Sequence, residues 1–141
     1  YSWINEAGGF WDDPANWSST PSAPGTVPGG NDAVTISTLS GATVTLRQEP
    51  GAPASPFTQY AAGSLTVNTP FEITGGNLQV TGDATFNESF AWVAGGLHLF
   101  VTSPGGTWTF KKGIHYTNAF LGGMNATAAV LQRQPFEVVS W

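Results

Sequence analysis

Nine carboxylates, four Lys or Arg and two His carry most of the acid–base potential of this 141-residue chain. Glu72, Asp83 and Glu88 are the candidate acids or nucleophiles for glycoside cleavage, which needs two carboxyl groups facing one bond. Lys111, Lys112, His98 and His115 would be the basic partners if the reaction were a polysaccharide elimination. These groups fall near turns or alternate with apolar positions, and no spacing gathers them. There is no Ser/His/Asp arrangement, phosphate loop or dinucleotide fingerprint. The expectation is a non-enzymatic protein with no catalytic residues.

Asp12, Asp13, Asn16, Asn31 and Asp32 could offer oxygen ligands to calcium, but they lack the regular alternation and terminal bidentate Glu of a calcium loop. Helix caps and turns account for the same residue types, so no metal and no cofactor is expected. Cysteine is absent, which removes thiolate sites and disulfides. His98 occupies a position where a repeat described below calls for an apolar residue, implying either a buried, hydrogen-bonded imidazole or a register shift of one. His115, between Ile114 and Tyr116, is expected to face outward.

Aromatic residues offer a different chemistry, because flat rings stack on the apolar C–H faces of sugars. Trp92, Trp108 and Tyr116 are the candidates for such a polysaccharide platform. Against it, Trp108 shares parity with Phe110 in an alternating stretch and so should point inward. Three sequons, at Asn16, Asn87 and Asn125, are candidate N-glycosylation sites. Trp3, Trp11 and Trp17 crowd the first seventeen residues without any regular hydrophobic period, which suits either a sugar platform or a lid over an apolar end.

The elements that must position these residues are strands. Gly-x-φ-x-φ, with φ facing one side, recurs at Gly63–Val67, Gly76–Val80, Gly82–Phe86 and Gly106–Phe110, and imperfectly at Gly96–Phe100. Such alternation marks strands with one buried face. The copies return about every twenty residues in two interleaved series, as the coils of a β-solenoid would. Paired glycines at 75–76, 95–96, 105–106 and 122–123 read as corners. Val34 to Ile36 and Thr43 to Leu46 read as the first true strands. The stretch 49–60, with three prolines, reads as a loop, and Asp13-Pro14 as the cap and first position of one short helical turn. Residues 136–141 run apolar to the last position, which implies a longer parent protein or a neighbouring subunit covering that end.

Only 9% of residues are charged and the net charge is −5, so no basic stripe exists to neutralise phosphates. Nucleic acid is excluded as a partner on this ground, and no apolar run is long enough to insert in a membrane. Neutral polar residues keep such a chain in solution, a composition common in secreted and surface proteins.

The opening segment carries a family resemblance. Trp3, Trp11, then Asp12-Asp13-Pro14-Ala15-Asn16-Trp17, then Val27-Pro28-Gly29-Gly30-Asn31-Asp32-Ala33-Val34-Thr35-Ile36 resembles the start of β-helical segments in bacterial autotransporter-type adhesins and related secreted repeat proteins. The likeness covers residues 3–36 closely and the remainder only through its repeat, and the Pro-rich loop departs from it. It implies a right-handed parallel β-helix with the tryptophans packed over its first rung. Burying an apolar end at ~25 cal/mol per Å2 favours large flat side chains for the same reason.

The expectation is therefore a single all-β domain over 1–141: a Trp-rich cap at 1–33 and about five coils of right-handed parallel β-solenoid at 34–141. A β-sandwich is the alternative. The expected role is an extracellular or cell-surface structural and adhesive building block of a fibre, appendage or adhesin, associating with itself or with a neighbouring subunit. The alternatives are a secreted carbohydrate-binding module and, third, a polysaccharide lyase or hydrolase.

Overall fold

The computed structural model describes residues 1–18, 26–53, 58–93, 96–98, 107–116 and 131–133. The described residues form fifteen short strands and no α-helix, so the protein is all-β. Strands are short because Gly, Pro or Asn interrupts every few residues, and none carries more than three inward side chains among those described.

Three sheets form. Sheet A has the order β15 (Leu131–Arg133), β13 (Trp108–Phe110), β10 (Ala84–Phe86), β7 (Ser64–Val67), β4 (Ala33–Ile36), β1 (Ser2–Trp3), β3 (Trp17–Ser18). Sheet B runs β14 (Ile114–Tyr116), β11 (Phe90–Trp92), β8 (Phe71–Ile73), β5 (Val44–Leu46), β2 (Gly9–Phe10). Sheet C runs β12 (Gly96–His98), β9 (Asn77–Val80), β6 (Gln59–Ala62). From β4 to β13 the chain visits A, B and C in that order, again and again. Every pairing in sheets B and C is parallel, and in sheet A only β1 with β3 is antiparallel.

Register follows the alternation. Val34, Leu65, Ala84 and Trp108 stack as Cα partners, as do Ile36, Val67, Phe86 and Phe110, and all eight are buried. In sheet B, Val44, Phe71, Phe90 and Ile114 stack in the same way. One core lies between these columns, closed by ring contacts such as Phe86 parallel to Phe110 at 5.0 Å and Phe86 edge-on to Phe90 at 4.6 Å.

Corners are made by close approach. At Gly82 a Cβ would sit 2.6 Å from the carbonyl oxygen of Gly63, one pass earlier. Gly76 adopts φ 74°, and a Cβ there would meet the Tyr60 ring at 2.8 Å, which explains the glycine doublet at 75–76. Between sheets A and B the buried hydroxyls of Thr38 and Thr69 lie 2.7 Å apart and both donate to the Ala42 carbonyl.

Two expectations need correction. The chain forms strands before Val34, since β1, β2 and β3 lie within the Trp-rich segment and extend sheets A and B. The loop read as 49–60 ends earlier, because β6 begins at Gln59. Beyond the repeat copies, sheet B adds strands β8, β11 and β14, which begin without a Gly-first signature. Of the two alternatives at His98, the register shift of one is the one observed: Leu97 pairs with Leu78 and His98 with Gln79, so His98 holds a non-φ register position. The short turn does form, as a 3-10 helix at Pro14–Asn16 whose Asp13 carboxylate accepts from the Ala15 N–H. The terminal stretch 136–141 lies outside the described residues.

Candidate functional site

Trp3, Trp11 and Trp17 are 6%, 0% and 4% exposed. Pairing of β1 with β3 sets Trp3 directly opposite Trp17, and their rings meet edge-on at 4.9 Å. Trp17 contacts Trp11 at 4.9 Å, and Trp11 reaches the core rings of Phe71 and Tyr60. The indole N–H of Trp3 donates to the Asn5 carbonyl and that of Trp17 to the Trp11 carbonyl. The Trp11 N–H has no partner, so this side chain is held by packing alone. No ring of the three presents a free face.

A charged clasp joins this lid to the next pass of chain. Arg47 forms a bidentate pair with Asp12, 3.0 Å from Nε to Oδ1 and 3.0 Å from Nη2 to Oδ2. Its guanidinium lies 3.5 Å from the Phe10 ring centroid, a cation–π contact. The Asp12 hydrogen bond and charge hold the Arg47 pKa above its ordinary value. Tyr60 donates its hydroxyl to the Arg47 carbonyl. Burial, then the Asp12 and Glu49 carboxylates, push the Tyr60 phenol up to about 12.

The candidate calcium ligands are used otherwise. Asp12 is taken by Arg47 and Asp13 caps the 3-10 turn. Asn16 donates to the Phe10 carbonyl and accepts from Asn5, and Asp32 accepts from the Gly29 N–H. Asn31 is exposed. No group of three or more His, Asp or Glu converges among the described residues. Glu88 pairs with Lys112 on the surface. Register places Glu72 and His115 two strands apart on sheet B with Ala91 between them, and Asp83 on sheet A. Among the described candidate acids and bases, the only pair in contact is Glu88 with Lys112.

Two sugar-platform candidates require correction. Trp92 and Trp108 are 1% and 2% exposed because both occupy the inward parity of their strands, so neither offers a ring to a ligand. The Tyr116 side chain lies outside the described residues. Among the sequons, Asn16 is also corrected. It is buried, and the amide nitrogen that would carry a glycan donates to the Phe10 carbonyl. Asn87 is half-buried and donates to Asn68 Oδ1, while Asn125 lies outside the described residues.

One polar array escaped sequence reasoning. On the outer face of sheet A, Thr35, Thr66, Thr85 and Thr109 are successive register partners, with Ser2 beside Thr35. None of the four hydroxyls bonds to another described residue. On one flank, Asn68 donates to Ser37 and Asn87 to Asn68, forming a second row that ends at Lys111. On the other flank lie Ala33, Ser64, Asp83 and Thr107, with the Asp83 carboxylate accepting from the Thr107 N–H. The signal was present as the second x of the copies beginning at Gly63, Gly82 and Gly106, with Thr35 outside any copy, but it became a row only once register was known. No helix among the described residues is long and apolar enough to cross a membrane. No family model, curated protein or solved structure significantly matches the chain.

Proposed function

We propose that this chain is an aromatic-capped segment of a right-handed parallel β-solenoid and serves as a non-enzymatic structural and adhesive building block of an extracellular fibre, appendage or adhesin. The observation that carries the fold reading is the repeated A, B, C order of parallel strands in register. A sandwich of two antiparallel sheets does not produce that order. Right-handedness follows from the strong bias of parallel crossovers. A density map with two antiparallel sheets packed face to face would overturn this part.

The mechanism is mechanical. Continuous backbone ladders give stiffness along the stack, the tryptophan lid seals one apolar end, and edges and outer faces are left for association. The carbohydrate-binding alternative loses its main support because Trp92 and Trp108 face the core. Assembly and surface display test the functional reading together. Electron microscopy and light scattering should find association, and displayed protein should raise cell–cell or cell–surface attachment. A chain that stays monomeric, adheres to nothing and cleaves or depolymerises a polysaccharide would refute it.

A further inference from the structure

We infer that the outer face of sheet A is a self-association surface, and that its occupant is the same face of a second copy, related by a two-fold axis running along the strand-stacking direction. This deepens the associative reading above and rests on it, while its geometry needs only the register of sheet A.

The first argument is repeat matching. Thr35, Thr66, Thr85 and Thr109 stand on consecutive parallel strands, spaced by about 4.8 Å. Their β-branched side chains have few rotamers, so the row is stiff before it binds anything. Its hydroxyls are unspent within the described protein. A partner must carry groups at the same spacing and with the same irregularities from strand to strand. A second copy meets this condition by construction, and like side chains on facing sheets can interdigitate.

The second argument is charge. Among the twelve outward positions on the four strands from β4 to β13 and their flanking residues, only Asp83 and Lys111 are charged, and both are exposed. They lie on opposite flanks of the threonine row and on adjacent strands. A two-fold axis along the stacking direction keeps strand levels matched and exchanges the flanks. Asp83 of one copy then stands one strand spacing from Lys111 of the other, twice by symmetry. An axis along the strands instead faces each flank with itself, and neither carboxylate meets an ammonium. Charge thus selects one of the two face-to-face arrangements.

The area sets the strength. Four strands by about five residues give on the order of 300 Å2 per copy, from a strand spacing of ~4.8 Å and a rise of ~3.3 Å. Stable dimers use roughly 800 Å2 per partner. Association of this segment is therefore weak, and repeated segments along a fibre would reinforce it through effective concentration.

Sedimentation equilibrium of the whole 141-residue chain, up to about millimolar, tests the inference, with melting curves reporting that each variant folds. Wild type should dimerise reversibly, and Thr66→Arg should abolish this. Lys111→Asp and Asp83→Lys should each weaken the dimer at least about tenfold, and the double exchange should restore most of it. A wild type that remains monomeric overturns the inference, as does retention of that monomer on an insoluble polysaccharide through the threonine row. Association that ignores all four variants overturns this face while leaving the broader associative reading intact.

Discussion

Trp11 is where the lid and the core become one body, touching Trp17 on one side and Phe71 and Tyr60 on the other. Trp11→Ala should cost about 3–5 kcal/mol, since the cavity lies between rings that cannot collapse without breaking the β1–β3 pair. Chemical denaturation measures it, and a loss below 1 kcal/mol would show that the lid packs independently. The Asp12–Arg47 clasp is partly exposed, so Arg47→Met should cost roughly 1–2 kcal/mol. A double-mutant cycle with Asp12→Asn should recover a coupling of that order. Tyr60 gives a pH signature. Its folded pKa of about 12 lies above the ordinary phenol value of 10, so its contribution is intact below pH 10 and is lost as pH rises toward 12. Tyr60→Phe should flatten the decline in stability over that window relative to wild type, as read by melting temperature against pH.

Elements were legible where two-residue alternation began after a glycine. Leu65 and Val67, or Phe86 after Ala84, announced both the strand and its buried face, because inward parity is the same fact as alternation. Sheet B was harder to see: Phe71-Glu72-Ile73 and Phe90-Ala91-Trp92 alternate too, but three residues after Pro70 or Ser89 carry little periodic signal. The strands of the lid are two residues long and exist through their partners, β1 through β4, β2 through β5 and β3 through β1, which no local pattern can reveal. Asn16 failed as a modification site for a related reason, since a sequon records residue type and is blind to burial. Corner glycines show how context sets cost. Gly76 and Gly51 both have positive φ, but a Cβ at Gly76 meets Tyr60 and two carbonyl oxygens whereas Gly51 faces open space. Gly76→Ala should therefore destabilise by at least about 2 kcal/mol more than Gly51→Ala, which carries only the strain of the left-handed backbone. Equal losses in thermal melts would contradict the packing at this corner.

At the scale of the molecule, stability is shared along the stack, and the end nearest the N-terminus is sealed by residues 1–18 together with their clasp. Removing them should expose the β4 edge with Val34 and Ile36, giving concentration-dependent aggregation and binding of apolar dyes. Light scattering that matches the intact chain would argue against a sealing role. The threonine row and the lid thus divide the surface between one face left available and one end closed. The intervals between passes carry a last consequence. Ser37 and Asn68, 31 residues apart, occupy the same column as Asn68 and Asn87, 19 apart. Register survives this difference because the surplus falls between strands, some of it between β4 and β5 and most of it between β5 and β6, where the Ala52 N–H bonds the Glu49 carbonyl. The connection between β5 and β6 thus already absorbs extra chain without shifting the strands on either side, and a foreign epitope spliced at Gly51, which faces open space, should leave the sheet register intact.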